Sequence, residues 1–288
     1  SMMNERILQG TGDSFSSMLS QMTGAITNII LDPIFIFTLG FGVNGAAIAT
    51  VIGQGVGCAV SFICVLRNRF IHIEPRHLKI DKRMVKAIYA VGAPTIITNS
   101  IGTVMTGAIN AILISFSTTA VSIFSVYFKL QSFVFMPIFG LSSGMVPIIA
   151  YNYGARKRKR VTETIWKGTF IASVIMVLGT LAFNFFPREL LSLFSATEEM
   201  YRIGIPALKM ISLCFVPAAV SIGLGSSFQA TGYGVGTMIV SICRQLMVLI
   251  PVAYILSIFL GINGVWLSFI VAEIIGLVVS IAIYLKVY

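Results

Sequence analysis

Asn28 and Asp32 sit four residues apart in NIILDPIFIF, a run that is otherwise hydrocarbon and one proline. Four residues is about one helical turn, so the amide and the carboxylate share a face. The chain then reverses through GFGVNG, and in an antiparallel hairpin centred near Phe41 side chains equally far from the turn lie at similar depth. Asp32 and Thr50 are each nine residues from that centre, and Asn28 and Gln54 each thirteen. Carboxylate, amide and hydroxyl oxygens suit a hard cation, so Asp32, Asn28 and Thr50 form a candidate sodium site with Gln54 beside it. A carboxylate removed from water can also carry a proton, so the coupling ion is sodium or a proton. The competing reading is an ion pair between Asp32 and a Lys or Arg on a helix beyond this sequence.

Lys129, Arg244 and Glu273 also fall inside apolar stretches. Glu273 and Lys129 each lie roughly ten residues, about 15 Å of helix, from the same end of their spans, which allows a buried pair. Arg244 approaches the same carboxylate from the opposite end. A structural ion pair is favoured over a coupling role for this group, because buried charges persist when paired. Asn99, Asn110 and Gln131, with Phe135 and Met136, are candidates to line a substrate cavity. Aromatic and Met side chains in such spans more often pack or face lipid, but flexible Met-rich surfaces do suit varied ligands.

Other chemistry is absent from the sequence. Cys58, Cys64, Cys214 and Cys243 lie in apolar spans without metal or redox spacing and read as small hydrophobes. His72 and His77 sit in a basic loop and are expected to face water. GFGVNG matches G-x-G-x-x-G, but it joins two apolar spans rather than a strand and a helix, so it reads as a turn. Paired carboxylates of the D-D-x-x-D kind, H-E-x-x-H, and Ser or Cys placed with His do not occur. No catalytic residue is assigned, an enzyme is not expected, and no cofactor is implied beyond the coupling ion.

The elements that position these residues are membrane spans. Of the residues, 57% are apolar and 10% charged, and mean hydropathy is +0.94. Eight apolar stretches are long enough for a roughly 30 Å hydrocarbon core, near 16–39, 43–66, 85–114, 119–150, 162–186, 202–227, 236–259 and 262–286. The fold class is all-α and polytopic. With alternating spans, fifteen of the twenty Lys and Arg fall on one side, including the run Arg156-Lys157-Arg158-Lys159-Arg160. By the positive-inside rule that side is cytoplasmic. The run is then an orientation signal touching anionic lipid. It lacks the aromatic interleaving and folded basic surface of a nucleic-acid site, so nucleic acid is not an expected partner.

The chain also repeats itself. LQGTG at 8–12 resembles FQATG at 228–232, LDP at 31–33 resembles LIP at 249–251, and GVNG at 42–45 resembles GING at 261–264. The offsets are 220, 218 and 219, and six spans separate the copies, so both run the same way through the membrane. Parallel repeats are a transporter design with the substrate path between halves. Residues 85–288 read as a complete six-helix second lobe, 67–84 as a basic linker, and 1–66 as two helices of an incomplete first lobe. Matched halves place about 150 further residues upstream. At the aligned positions of Asn28, Asp32 and Thr50 the second copy carries Leu246, Ile250 and Phe269; Gln54 aligns with Glu273. The second copy thus builds the same proline-bearing helix without a carboxylate at the Asp32 position.

ILQGTGD, NIILDPIFIF, GVNGAAIATVIGQ, FKLQSFVFMPIFGLSSGMVPIIAYNYGARKRKRV and SSFQATGYG, in that order, closely resemble the multidrug and toxic compound extrusion (MATE) family over essentially the whole chain. The resemblance implies twelve helices in two lobes, of which this chain holds the fifth to twelfth. It further implies a V-shaped cavity and alternating-access export of amphipathic, often cationic compounds against sodium ions or protons, from a monomer in a prokaryotic cell membrane. One MATE branch has Asn-x-x-x-Asp and a Thr on the next helix, here Asn28, Asp32 and Thr50, in a cation site with an Asp on the first helix. Another branch has acidic residues on its seventh and tenth helices, absent here, which favours coupling through the first lobe. A flippase for lipid-linked polysaccharides from the same superfamily and an inert truncated remnant are the alternatives.

Overall fold

The computed structural model describes residues 2–71 and 81–287, so His72 and His77 lie outside the described residues. Twelve helices and two π-helical turns account for nearly all of that chain, and no strand occurs among the described residues. In hydrocarbon the backbone has no water to bond, so helices that satisfy themselves are the stable choice. Among the described residues seven helical segments are long and apolar enough to cross a membrane, and one bent pair passes the same test when taken as one segment. Bulky apolar groups face outward along them: Phe37, Val43 and Phe259 are 80%, 88% and 78% exposed.

The chain divides into two compact units, Ser1–Ile80 and Asp81–Tyr288. Unit 1 contains α1 (Met2–Gly10), α2 (Ser14–Pro33), a π turn (Ile34–Thr38) and α3 (Gly42–Arg67). Hydrophobic attraction between helices is weak in lipid, so contact depends on small residues that let backbones approach. The buried side of α3 is such a stripe, recurring every four residues from Gly45 through Ala49, Gly53, Gly57 and Ser61 to Val65.

Unit 2 contains α4 (Lys82–Ile114), α5 (Thr118–Gly154), α6 (Arg158–Phe185), α7 (Pro187–Ser192), α8 (Glu198–Ser212), α9 (Phe215–Ala230), α10 (Gly234–Ser241), a π segment (Ile242–Leu249), α11 (Ile250–Leu260) and α12 (Ile262–Val287). The span expected at 202–227 is α8 and α9, bent by 44° between them. Pro217 lacks an N–H and its ring crowds the Leu213 carbonyl, and the chain there tightens to bonds such as Cys214 N to Ile211 O. The core is aromatic: Phe124 and Tyr127 of α5 are buried against Trp266 and Phe269 of α12.

The repeated motifs form the same structures. In both LQGTG and FQATG a glycine takes left-handed geometry, Gly12 at φ 87° and Gly232 at φ 77°. The following amide closes the helix end, Asp13 N to Leu8 O at 2.9 Å and Tyr233 N to Phe228 O at 2.8 Å. In GVNG and GING the last glycine lies against backbone: a Cβ on Gly45 would meet the Phe35 carbonyl, and one on Gly264 the Leu256 carbonyl.

Candidate functional site

The polar group of unit 1 depends on how closely α2 meets α3. A Cβ on Gly53 would stand 2.8 Å from the Gly24 carbonyl oxygen and 2.9 Å from Asn28 Cβ. Without one, Asn28 Nδ2 donates to both Asp32 Oδ1 and Thr50 Oγ1, each at 3.4 Å. The Thr50 hydroxyl itself donates to the Ala46 carbonyl at 2.8 Å. The expected levels paired Asp32 with Thr50 and Asn28 with Gln54, whereas the structure joins Asn28 to Thr50. Asn28 stands level with Gly53, one residue from the expected depth, and its amide reaches from there to Thr50, three residues along α3 on a neighbouring face. Gln54 makes no hydrogen bond among the described residues but lines a hollow of about 270 Å³ with Asn28, Thr50, Ser20, Gln21 and Glu5. Asp32 is half-buried and meets this group through Asn28.

Glu5 and Gln21 were not legible as site residues from composition alone, yet a signal existed. Each is eight residues from Asp13, the turn between α1 and α2, so the equal-distance rule applied to GTGD pairs them. Gln21 Nε2 donates to Glu5 Oε2 at 3.0 Å. Asp13 caps α2 by accepting from Ser16 N at 3.1 Å, which holds that turn. Among the described residues no cluster of three or more His, Cys, Asp or Glu could hold a metal ion. A cation at Asn28, Asp32 and Thr50 would therefore rest on one carboxylate and neutral oxygens, the donor type sodium accepts.

In unit 2 the ion pair joins half-buried Arg244 to buried Glu273. Arg244 Nη1 donates to both carboxylate oxygens, at 3.0 and 2.9 Å, and Glu273 is only 7% exposed. Arg244 lies in the π segment, a distortion that redirects side chains and recurs at functional sites. Lys129 corrects the expectation of a third buried charge. It is exposed, and its Nζ stands 5.8 Å from the centre of the Phe194 ring, an attraction of about 0.5–1 kcal/mol. A lysine ammonium is strongly hydrated, whereas guanidinium is more weakly hydrated and better suited to a buried carboxylate.

Beside this pair lies a hollow of about 430 Å³ lined by Tyr127, Phe128, Gln131, Phe135, Met136 and Phe269, with Arg244 and Glu273 in its wall. Gln131, Phe135 and Met136 thus meet there. Asn99 and Asn110 do not: α4 presents Met105 to the hollow. Asn99 is exposed, and Asn110 is half-buried with its Oδ1 unpaired. At 3.6 residues per turn, positions six before and five after Met105 point away from its face.

Comparison with known proteins places this geometry. A family model described as MatE matches residues 94–255 of the 288. The Multidrug export protein MepA of Staphylococcus haemolyticus is 29% identical over 270 residues, covering 93% of this chain and 59% of that protein. MepA of Staphylococcus aureus strain MSSA476 is 27% identical over the same shares. The chain thus spans about three fifths of the length of these relatives. Among solved structures, the outward-facing conformation of a multidrug resistance MATE family transporter of the MOP superfamily superposes with TM-score 0.91 at 26% identity, covering 98% of this chain and 64% of that one. A MATE crystal structure in the straight conformation gives TM-score 0.90 at 26% identity with the same coverage. With more than half of its residues matched by the family model, this multi-pass membrane chain belongs to the MatE family of transporters.

Proposed function

We propose that the chain forms the greater part of an antiporter that exports amphipathic, cationic organic molecules in exchange for sodium ions or protons, with Asn28, Asp32 and Thr50 as the coupling group. One observation carries this reading: a carboxylate in an apolar helix bonded to an amide that also bonds a hydroxyl across the helix pair. An ionisable group in a span is costly and marks an ion or substrate path. The second copy, which has Ile250 at the aligned position, removes a purely structural need for it.

The amide is the moving part. With its nitrogen toward Asp32 and Thr50, Asn28 bonds both. Turning the amide over presents its oxygen instead, so carboxylate, amide and hydroxyl become three oxygen donors for a cation. A proton on Asp32 also changes the cluster, since the carboxyl then donates to the amide oxygen. The hollow of unit 2 supplies the substrate surface: aromatic rings and Met136 receive an apolar body, and aromatic faces attract a cation. The balanced Arg244–Glu273 pair leaves that wall without net charge, which suits an amphiphile better than a polyanionic lipid-linked sugar. The basic turns are assigned to the cytoplasmic side, with Arg156–Arg160 against anionic lipid. The protein acts as a monomer.

The test is efflux of a fluorescent cationic dye from membrane vesicles holding the protein, driven in turn by a sodium and a proton gradient. Efflux that responds to one gradient and is lost in Asp32→Asn supports the reading, and efflux indifferent to both gradients or to that substitution sinks it.

A further inference from the structure

Arg244 is shared by two cavities. A second chamber of about 180 Å³ shares Phe139 and Arg244 with the hollow described above; Glu273 lines the hollow alone, so Arg244 is its link to the chamber. Its walls are hydroxyl-rich, with Ser142, Ser221, Ser226, Thr237, Ser241 and Ser280 drawn from α5, α9, α10 and α12. Some of these are satisfied: Ser142 and Ser226 share a bond of 2.6 Å, and Ser280 donates to the Gly276 carbonyl at 2.8 Å. Three buried polar atoms are not. Ser221 Oγ, Thr237 Oγ1 and Arg244 Nε have no hydrogen-bond partner, and all three residues face this chamber. Ser221 is only 9% exposed.

Buried polar atoms without partners are expensive, and ordered water is the usual remedy where a cavity is polar and large enough. One water needs roughly 10–15 Å³, so the chamber's 180 Å³ admits several. The lining also excludes other occupants. Arg244 is its sole cation among the described residues and is already matched by Glu273, so an anion gains no free charge there. Neutral hydroxyls without a carboxylate offer little to a metal cation. The chamber extends to Gln229, exposed on the last turn of α9. The turn after Gln229 and the Arg156–Arg160 turn are at the same end of the alternating helices.

We propose that this chamber is a water-filled path by which the Glu273 carboxylate exchanges protons with the basic end of unit 2, making the Arg244–Glu273 pair a second, proton-responsive centre. In the forward step a hydronium ion passes its proton to a Glu273 oxygen, leaving water and a neutral carboxyl group. Arg244 keeps its charge and loses its partner. The hollow then changes from neutral to a net charge of +1 and disfavours a cationic ligand, the sign that antiport with a proton requires. The other titratable groups around Glu273 are Tyr127 of α5 and Cys214, between α8 and α9, both in the hollow wall. Lys129 of α5 lies over Phe194 instead. Proton relays through buried carboxylates are a recurrent role of such residues in membrane spans.

The experiment reads protonation rather than transport, so its outcome is separate from that of the Asp32 proposal. The 288-residue chain is reconstituted in lipid nanodiscs and titrated by infrared difference spectroscopy from about pH 4 to 10, the range carboxyl groups span in proteins. A protonated-carboxyl band that is absent in Glu273→Gln is expected. After a rapid pH jump, Thr237→Leu and Ser221→Val should slow the appearance of that band by about tenfold or more, because each replaces a polar wall group by an apolar plug. Hydroxyl-radical footprinting of the unsubstituted chain gives an independent reading: Ile222, which is half-buried and lines the chamber but not the hollow, should be labelled despite lying in the membrane. A missing Glu273 band, a band whose rate ignores both plugs, or an unlabelled Ile222 overturns the proposal.

Discussion

The side chain of Arg244 lies across Gly276: a Cβ there would stand 2.9 Å from Arg244 Cδ and 3.1 Å from its Cγ. Gly276 follows Glu273 by three residues on the same face of α12. The absent side chain is thus the bed on which the guanidinium reaches its carboxylate. Gly276→Ala should push Arg244 off this path and cost roughly 1–3 kcal/mol as an overpacked, weakened pair. Thermal unfolding in detergent measures it, and the loss should shrink in a chain that already carries Arg244→Met. An alanine tolerated without change would mean the pair does not depend on this bed.

The pair itself is open to a double-mutant cycle. Removing one partner of a buried ion pair costs about 3–5 kcal/mol because the other charge is stranded. Glu273→Gln and Arg244→Met should each approach that loss, while the double change should lose much less than the sum. Lys129→Met combined with Glu273→Gln should simply add, since Lys129 meets Phe194. Coupling in the Lys129 cycle, rather than the Arg244 cycle, would contradict the observed geometry.

Unit 1 offers a test of close approach. Gly53→Leu must separate α2 from α3, because even a Cβ meets the Gly24 carbonyl at 2.8 Å. Asn28 and Thr50 are joined at 3.4 Å and cannot remain so. Sodium-dependent or proton-dependent protection of a cysteine label at Gln21, which lines the same hollow, should vanish in Gly53→Leu and persist in Gly55→Ala, where a Cβ finds nothing within 4 Å.

Asp32→Asn keeps shape and removes charge, so insertion and thermal stability should change by less than about 1 kcal/mol, the scale of one exchanged hydrogen bond. Gradient-driven dye efflux should fall to background. Full efflux alongside normal expression would remove Asp32 from the coupling group.

The sequence alone determined those properties that depend on composition along the chain. Membrane class, eight spans, the basic side and the repeat all follow from hydropathy, charge and a constant offset, and none needs to know which way a helix is turned. Asn28, Asp32, Thr50 and Gln54 were visible because a tight turn relates residues by counting. Tertiary structure decided everything that depends on azimuth. Whether Glu273 meets Lys129 or Arg244 turns on a π segment that redirects Arg244 and on Gly276, which leaves room for its stem. Whether Asn28 meets Gln54 or Thr50 turns on the faces that α2 and α3 present where Gly53 lies against Gly24 and Asn28. The serine chamber has no linear trace at all. Its hydroxyls come from four helices, and a polar residue facing its neighbours is indistinguishable by sequence from one facing lipid until the helices are packed together.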